Sequence, residues 1–273
     1  MDYYQYRIAT PDTDPSIILA FLTELPFDSF EEQDNQLNAY LPTHLDTPEV
    51  AEALNELAKT FPLKWERLLV PHQNWNEVWE SNFEPIQVGD FCGIRADFHA
   101  PLQGVQYEIV INPRMAFGTG HHATTHMVIQ LMESLELDGK KVLDYGCGTG
   151  ILAILAAQLG AQPILAVDID QECYQNTIDN AVVNNIAGIQ AIHGTLQDVP
   201  DKDYEIILAN INRNVILETL NSLYKKLLPG GVLLVSGILK QDGSLIVEKA
   251  ASEGFKSIQQ LERDGWLGLW FEK

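Results

Sequence analysis

A glycine-rich turn at residues 142–150, reading VLDYGCGTG, limits the fold of this chain more than any other segment. The apolar start of the segment predicts the end of a buried strand, and the apolar run 151–159 predicts a helix. Gly146, Gly148 and Gly150 have no Cβ, so a ligand can approach bare backbone between the strand and the helix. A strand, a glycine turn and a helix in this order indicate the ligand-binding edge of an α/β sheet.

A second apolar strand is predicted at residues 164–167, and Asp168 follows it, 22 residues after Gly146. A carboxylate at the end of a neighbouring strand can accept hydrogen bonds from both hydroxyls of a ribose. The two strand ends together therefore predict a nucleoside site.

The glycine spacing bears on which nucleoside cofactor is bound. Dinucleotide enzymes favour Gly-x-Gly-x-x-Gly, with the pyrophosphate at the helix N-terminus, whereas this chain has Gly-x-Gly-x-Gly with Asp144 ahead of it. That spacing resembles the first motif of class I S-adenosylmethionine methyltransferases, in which the loop holds the methionine part of the cofactor. A nicotinamide enzyme and a tight turn without any ligand stay open as alternatives at this point.

Length and composition fit a soluble enzyme with two domains. The 273 residues are 46% hydrophobic, which is enough to bury a substantial core. No membrane span is visible, and the N-terminus has neither the basic nor the apolar part of an export signal, so we expect the cytoplasm. Cys92, Cys147 and Cys173 are an odd number without metal-ligand spacing, which favours free thiols, and we interpret Cys147 as a small loop residue rather than a nucleophile.

The net charge of −21 argues against nucleic acid as a substrate, because binding to phosphates depends on counterion release by Lys and Arg. The first 64 residues hold twelve acidic side chains against Arg7, Lys59 and Lys64, a net charge of −9. An acidic segment suits a basic partner, although acidic residues also serve simply to keep a protein in solution.

The same first segment alternates strand and helix patterns. Strand patterns lie at residues 3–8, 27–31, 36–41 and 63–70, and helical patterns at 15–25 and 47–58. This β-α-β-β-α-β order is that of small ferredoxin-like α+β domains, which bind protein or nucleic acid. We place this domain at residues 1–64, a connector containing Trp75, Trp79 and Phe83 at 65–85, and the cofactor-binding domain at 86–273.

A polar, glycine-rich segment at residues 112–125 precedes an amphipathic helix that runs to about residue 135. We interpret it as a mobile loop that covers the cofactor and contributes Phe117 and Gly118 to the cofactor site. Thr125 is expected to form a hydrogen bond near the methionine end of the cofactor.

Three histidines in this region, His121, His122 and His126, raise the question of a metal site. No carboxylate or cysteine nearby completes a ligand set, and adjacent histidines diverge on a helix. We therefore predict no metal.

A third polar feature is Asn210, at the end of an apolar strand in the segment 206–213. Ligands of open α/β sheets bind outside the carboxyl ends of the strands, so we expect Asn210 to face the transferred methyl group. Amide- and base-directed methyltransferases commonly have two prolines and an aromatic residue next, whereas this chain has Ile211, Asn212 and Arg213. A planar amide acceptor is disfavoured, and a simple strand cap is the alternative role for Asn210.

Taken together, these segments resemble one family, the bacterial methyltransferases of large-subunit ribosomal protein L11, called PrmA. The resemblance covers nearly the whole chain, and its most discriminating part is the FGTGxHxTT loop at residues 117–125. Its other parts are the glycine motif, Asp168 with the two residues after it, residues 208–210 and 234–239, and a last strand containing Trp266.

The resemblance implies a Rossmann-like, seven-stranded class I methyltransferase sheet with a small N-terminal domain that recognises the basic protein L11. It implies S-adenosylmethionine as the cofactor. In that family the residues that match Thr125, Gly146, Asp168 and Asn210 bind the cofactor. We expect Phe117, Gly118 and Gly148 to bind it as well, and Thr125 and Asn210 to serve catalysis. We expect a monomer that does not contact nucleic acid directly.

The implied reaction is repeated methylation of lysine side chains and of an N-terminal amine, up to the trimethylated state. Such an amine must first be neutral, and deprotonating a free lysine at pH 7 costs ~4.6 kcal/mol. We therefore expect carboxylates to guide the substrate from outside the pocket and not to line it. No residue is evident as a general base, so positioning of the amine against the methyl group is the expected source of catalysis.

Three rival functions belong to other classes. An amide-directed or small-molecule methyltransferase would not need the acidic domain, a nicotinamide dehydrogenase would bind NADH, and a non-catalytic adaptor would bind the cofactor without turnover.

Overall fold

The computed structural model describes residues 2–11, 13–33, 36–70, 83–112, 120–200 and 203–273. The chain divides into two compact units, Met1–Val78 and Trp79–Lys273. The first unit contains the strands β1 (Tyr3–Ala9), β2 (Ser29–Gln33), β3 (Gln36–Pro42) and β4 (Lys64–Val70), the helices α1 (Pro15–Leu22) and α2 (Pro48–Thr60), and a short 3₁₀ turn, Thr43–Leu45.

The first unit is an antiparallel sheet in the order β2-β3-β1-β4 with two helices on one face. Along β1, Tyr6 and Ile8 are buried while Arg7 is exposed, which is the period-2 pattern of a strand with one covered face. The helices contribute Ile18 and Leu54 to the same core. The element order is the β-α-β-β-α-β order that the sequence pattern indicates.

The end of this unit differs from the domain boundary that we placed after residue 64. β4 pairs with β1 along its whole length, from Lys64 opposite Ala9 to Val70 opposite Tyr3. A boundary at residue 64 would remove an edge strand from the sheet, so the first unit includes β4 through Val70. Most of the connector assigned to 65–85, including Trp75 and Trp79, lies outside the described residues.

The second unit contains a three-stranded sheet, a seven-stranded sheet and five helices within its described ranges. Its strands are β5 (Ile86–Val88), β6 (Cys92–Ala96), β7 (Tyr107–Ile111), β8 (Val142–Tyr145), β9 (Ile164–Asp168), β10 (Ile189–His193), β11 (Tyr204–Asn210), β12 (Leu227–Leu239), β13 (Lys256–Arg263) and β14 (Trp266–Glu272). Its helices are α3 (Ala123–Met132), α4 (Ile151–Gln158), α5 (Gln171–Val183), α6 (Arg213–Lys226) and α7 (Gly243–Glu253), with a 3₁₀ turn at Lys240–Asp242.

The large sheet has the order β10-β9-β8-β11-β12-β14-β13. Its first five strands are parallel, and β14 runs antiparallel to both β12 and β13. Both faces are covered: Ile206 and Leu208 of β11 pack into one core with α3 and α4, while Ile207 and Ala209 pack into the other with α6 and α7. This explains why the parallel strands are continuous apolar runs rather than alternating ones.

The chain order of the strands reverses at β8, which lies between β9 and β11. Open α/β sheets bind ligands at such a switch point, outside the carboxyl ends of the strands. Of the helices in the described ranges, none combines the length and the apolar character needed to cross a membrane.

Candidate functional site

A cavity of about 500 Å³ opens at the carboxyl ends of β8, β9, β11 and β12, and its size is within the usual range for small-molecule sites. It is lined by His122, Tyr145, Gly146, Gly148, Val167, Asp168, Ile169, Asp170, Cys173, Asn210, Ile211, Asn212, Val215, Gly237 and Trp266. The cavity thus brings together four of the predicted site residues: Gly146, Gly148, Asp168 and Asn210.

The glycine turn forms the floor of this cavity, and Gly146 shows why glycine is needed there. Its φ angle is +74°, and a Cβ at this position would lie 2.2 Å from Cγ2 of Ile211. Its N–H donates to the carbonyl of Val167 at 2.8 Å, which joins the turn to the end of β9. A side chain would both strain the turn and push Ile211 into the cavity.

The turn is supported from below by α5. The Thr177 hydroxyl donates to the Gly148 carbonyl at 3.1 Å, and the Asn180 amide donates to the Thr149 carbonyl at 2.8 Å. The Asn180 amide oxygen accepts the N–H of Asn112 at 2.8 Å, so one side chain holds two segments beside the cavity. The backbone of the turn is therefore fixed before any ligand binds.

Asp168 links the second motif to the first. Its carboxylate accepts the N–H of Gly148 at 2.9 Å and the N–H of Asp170 at 3.0 Å, one bond to each oxygen. Because a carboxylate oxygen has two acceptor sites, each oxygen can still accept a hydrogen bond from a ligand in the cavity. The backbone contacts set the orientation in which the carboxylate is presented.

Asn210 forms a side-chain hydrogen bond with Thr125, although the two residues are 85 positions apart in the chain. The Asn210 amide donates to the Thr125 hydroxyl at 3.1 Å, and both side chains are buried. The Asn210 amide oxygen, also buried, has no hydrogen-bond donor among the described residues. An unsatisfied buried acceptor costs about 1–3 kcal/mol, so a ligand that donates to it would gain affinity there.

A small recess extends from this pair toward the N-terminus of α4. It is lined by Thr125, Gly146, Cys147, Gly148, Thr149, Ile151, Leu152 and Asn210. The helix begins at Ile151 with glycine as its N-cap and no capping side chain, so its first N–H groups and its dipole favour a negatively charged group.

Asp144 lies beneath the turn with an exposed fraction of 1%. One carboxyl oxygen accepts the N–H of Ala153 at 3.0 Å, and the other has no partner among the described residues. Burial raises the pKa of Asp144 from 3.8 to about 7, against the lowering effect of the Ala153 bond and with a further rise from the charge of Asp168. The carboxyl is thus partly protonated near neutral pH.

Cys147 is buried within the turn. Burial raises the pKa of its thiol well above the ordinary value, and the Thr177 hydroxyl lies 3.2 Å from its Sγ. A thiol that resists ionisation is a poor nucleophile, which agrees with its interpretation as a small loop residue.

The three histidines considered for a metal site contact different partners. His122 caps α3, with Nδ1 accepting the N–H of Thr124, and His126 pairs through Nε2 with Arg263 at 2.7 Å. His121 packs its ring edge-to-face on Phe83 at 4.6 Å. In the described part of the chain, no group of three or more His, Cys, Asp or Glu side chains is arranged to hold a metal ion. Two other predicted cofactor residues, Phe117 and Gly118, lie outside the described ranges.

The sequence analysis did not identify two features of the site, namely the support of the glycine turn by α5 and the position of Trp266 in the cavity lining. The support from α5 has a sequence signal, because asparagine recurs at every fourth position, 176, 180 and 184, on an otherwise amphipathic helix. Trp266 follows a hairpin turn at Asp264 and Gly265, both of which have positive φ. An Asp-Gly pair in the sequence predicts such a turn. That signal locates the turn but does not show that the tryptophan reaches the cavity.

Comparisons with known proteins agree with one another. A family model described as ribosomal protein L11 methyltransferase (PrmA) matches residues 20–273. A ribosomal protein L11 methyltransferase of Porphyromonas gingivalis is 40% identical over 96% of this chain and 92% of its own length, and one of Bacteroides fragilis is 36% identical over 99% of both. The crystal structure of a ribosomal protein L11 methylase from Lactobacillus delbrueckii subsp. bulgaricus superposes with a TM-score of 0.65 at 29% identity, covering 69% of this chain and 98% of that one.

Proposed function

The chain belongs to the ribosomal protein L11 methyltransferase family, and on that premise we propose that it methylates lysine side chains and the N-terminal amine of ribosomal protein L11. It is an S-adenosylmethionine-dependent methyltransferase. The observation that carries the proposal is one cavity in which the Asp168 carboxylate and the unsatisfied Asn210 oxygen flank bare glycine backbone.

The residues present fit the cofactor. Asp168 has an acceptor site left on each oxygen for the two ribose hydroxyls, and the Asn210 oxygen can accept from the amino group of the methionine part. The recess at the N-terminus of α4 suits its carboxylate, and Thr125 orients Asn210 there. When bound, S-adenosylmethionine supplies a methyl group already activated by its sulfonium.

The acceptor amine must be neutral to attack, and the cavity assists its deprotonation through burial. The carboxylates among the described lining residues, Asp168 and Asp170, both belong to the β9 end of the cavity. Ile211, Val215 and Trp266 are among the other lining residues, and an apolar surrounding lowers the pKa of an amine. Alignment of the amine with the methyl group then contributes roughly 7–11 kcal/mol, a range typical of well-oriented reactants.

We assign recognition of L11 to the first unit, which we propose is a ferredoxin-like domain. Its acidic character, a net charge of −9 over residues 1–64, supports binding of a basic protein. The same excess of negative charge supports a mode of action without direct contact to nucleic acid. A monomeric state and a location in the cytoplasm complete the proposal.

The decisive experiment is intact-mass spectrometry of unmethylated L11 incubated with the enzyme and S-adenosylmethionine. Mass increments of one methylene each are expected with the native enzyme, and they should accumulate much more slowly with Asp168→Ala when the cofactor concentration is near the native Kd. Absence of any increment with the native enzyme, while calorimetry shows that it binds the cofactor, would refute L11 as the substrate.

The role of the first unit has its own test. A variant lacking residues 1–78 is expected to bind S-adenosylmethionine with native affinity and to lose methylation of L11. Cofactor binding serves as the control for folding. Efficient methylation by the shortened enzyme would contradict the recognition role.

A further inference from the structure

The cavity extends beyond the residues assigned to the cofactor. Asp168 and Asn210 are at the ends of β9 and β11, whereas Gly237 and Trp266 belong to β12 and β14, further along the same sheet. Neighbouring strands lie ~4.8 Å apart, so β11 and β14 are separated by roughly 10 Å of sheet edge. This part of the cavity, which we call the β14 end, is available to the acceptor when the cofactor spans β9 to β11.

Trp266 is the dominant side chain at the β14 end, and its ring is held in place. The indole is half-buried and meets the His122 ring edge-to-face, with 4.7 Å between ring centroids and an interplanar angle of 72°. His122 is itself fixed as the N-cap of α3 by its contact with Thr124. The backbone of Trp266 pairs with Leu239 of β12. The aromatic surface is therefore organised before the substrate arrives.

The chemistry of repeated methylation makes such a surface useful. In each transfer the amine lone pair forms the new C–N bond, and the electrons of the C–S bond stay on sulfur, so the positive charge moves from sulfur to nitrogen. After the first and second transfers the nitrogen loses a proton to water, and it is neutral again. The third transfer leaves a trimethylammonium group, which has no N–H and cannot donate a hydrogen bond.

Among the described residues of the β14 end, no carboxylate is present to stabilise that charge. An aromatic face attracts a quaternary ammonium through its quadrupole, and tryptophan does so most strongly. Trp266 can therefore stabilise the charge that develops on nitrogen in the third transfer. The indole stabilises this transition state more than it stabilises the neutral dimethylamine, so the third transfer is accelerated.

We propose that Trp266 determines the degree of methylation, because its indole contacts the partly methylated amine and stabilises the positive charge that forms in the last transfer. His122 is a positioning residue that holds the indole. The inference rests on the proposed function, since it concerns the acceptor end of the same cavity.

The first test follows the methylation of L11 over time by intact mass for the native enzyme, Trp266→Leu and Trp266→Phe. Trp266→Leu is expected to slow the third transfer roughly tenfold, so that mono- and dimethylated forms accumulate, while affinity for S-adenosylmethionine stays within about twofold of native. Trp266→Phe keeps an aromatic face and should restore most of the trimethylated product. Phe98→Leu is the matched control, because it removes an exposed ring that does not line the cavity.

Native-like accumulation of trimethylated product by Trp266→Leu would overturn the inference. An equal slowing of all three transfers, with or without rescue by phenylalanine, would also overturn it, because the indole would then not act selectively on the last transfer.

The second test does not depend on L11. Enzyme saturated with S-adenosylhomocysteine is titrated with tetramethylammonium chloride in a calorimeter, with sodium chloride as the control for ionic strength. Native enzyme is expected to bind the cation, and Trp266→Leu to bind it at least roughly fivefold more weakly. Equal binding by the two, or no binding by the native enzyme, would overturn the inference. If the native enzyme binds the cation through Trp266 but does not methylate L11, the choice of substrate fails and the role of Trp266 stands.

Discussion

The two ends of the cofactor cavity are built from different chemistry. At the β9 end, Asp168 is a charged group whose oxygens are tied to the backbone N–H groups of Gly148 and Asp170. At the β14 end, Trp266 and His122 contact each other through their rings. The ribose always presents the same two O–H donors, so a carboxylate in a fixed orientation can bind them. An amine loses one N–H donor with each methyl group, and an aromatic surface can bind its methylated cation without hydrogen bonds. The glycine turn and Asn210 lie between the two ends, after β8 and at the end of β11.

The two ends of the cavity are expected to differ most in their effect on the affinity for S-adenosylmethionine, which isothermal titration calorimetry measures. Substitutions in the turn and at the β9 end should weaken this affinity, and substitutions at the β14 end should leave it nearly unchanged.

Gly146→Ala is expected to have the largest effect, a loss of affinity of more than roughly 100-fold. The new Cβ would combine an unfavourable positive φ, which costs of order 1–3 kcal/mol, with a clash against Ile211, which lines the cavity. Gly139→Ala is the matched control, since its φ is +69° but no atom lies within 4 Å of the added Cβ. Equal affinities for the two variants would show that the turn does not contact the cofactor.

Asp168→Ala should rank second, with a loss of roughly 10- to 100-fold. Hydrogen bonds to a charged group contribute ~1.5–3 kcal/mol, and the Gly148 N–H also loses its acceptor. Glu248→Ala, which removes an exposed carboxylate from α7, controls for the change in net charge. Unchanged affinity in Asp168→Ala would refute the ribose assignment and remove the contrast between the two ends.

Asn210→Ala should lower affinity by about two- to tenfold, as expected for a neutral hydrogen bond, and should lower kcat on L11 more than it raises KM. Thr125→Ala should cause part of the same loss of kcat. The loss in the Asn210→Ala/Thr125→Ala double variant should be smaller than the two single losses combined, because the two side chains are hydrogen-bonded to each other. Thr125→Ser, which keeps the hydroxyl, is the control. Strict additivity in kcat would show that Thr125 does not act through Asn210.

Asp144→Asn should have the smallest effect on affinity, less than about threefold at pH 7, because the carboxyl with a pKa of about 7 is already partly protonated there. Its effect on stability depends on pH. The folded state retains a proton that the unfolded chain releases above about pH 4, so the native free energy of unfolding falls as pH rises from about 4 to 7.

This contribution to stability is complete below about pH 4, where both states are protonated, and is lost by the time the pH has passed 7. The loss is at most about 1.4 kcal/mol per pH unit. Asparagine does not titrate, so the free energy of unfolding of the variant lacks this pH dependence. Measured by urea unfolding, the stability of the variant relative to the native enzyme should rise between about pH 4 and 7 and stay constant above pH 7. Parallel pH profiles would contradict the buried, raised-pKa state of Asp144.

Much of the second unit follows from its sequence because strand periodicity, glycine positions and strand ends are local properties. The sequence predicts ligand-binding residues at the carboxyl ends of neighbouring strands, and the structure places Gly146, Gly148, Asp168 and Asn210 in one cavity. The strand pattern at residues 63–70 indicates the last strand of the first unit, but only the long-range pairing of β4 with β1 shows that the unit continues past the boundary placed at residue 64.

The element order and the residue types at each strand end follow from the sequence alone, since backbone periodicity and the need for glycine at positive φ act over a few neighbouring residues. The tertiary structure alone decided which side chains meet: Thr125 with Asn210, and His122 with Trp266. These contacts depend on the strand order and on the packing of α3 against the sheet, which bring together residues far apart in the chain. Side-chain partners are chosen by three-dimensional proximity, which no local pattern encodes.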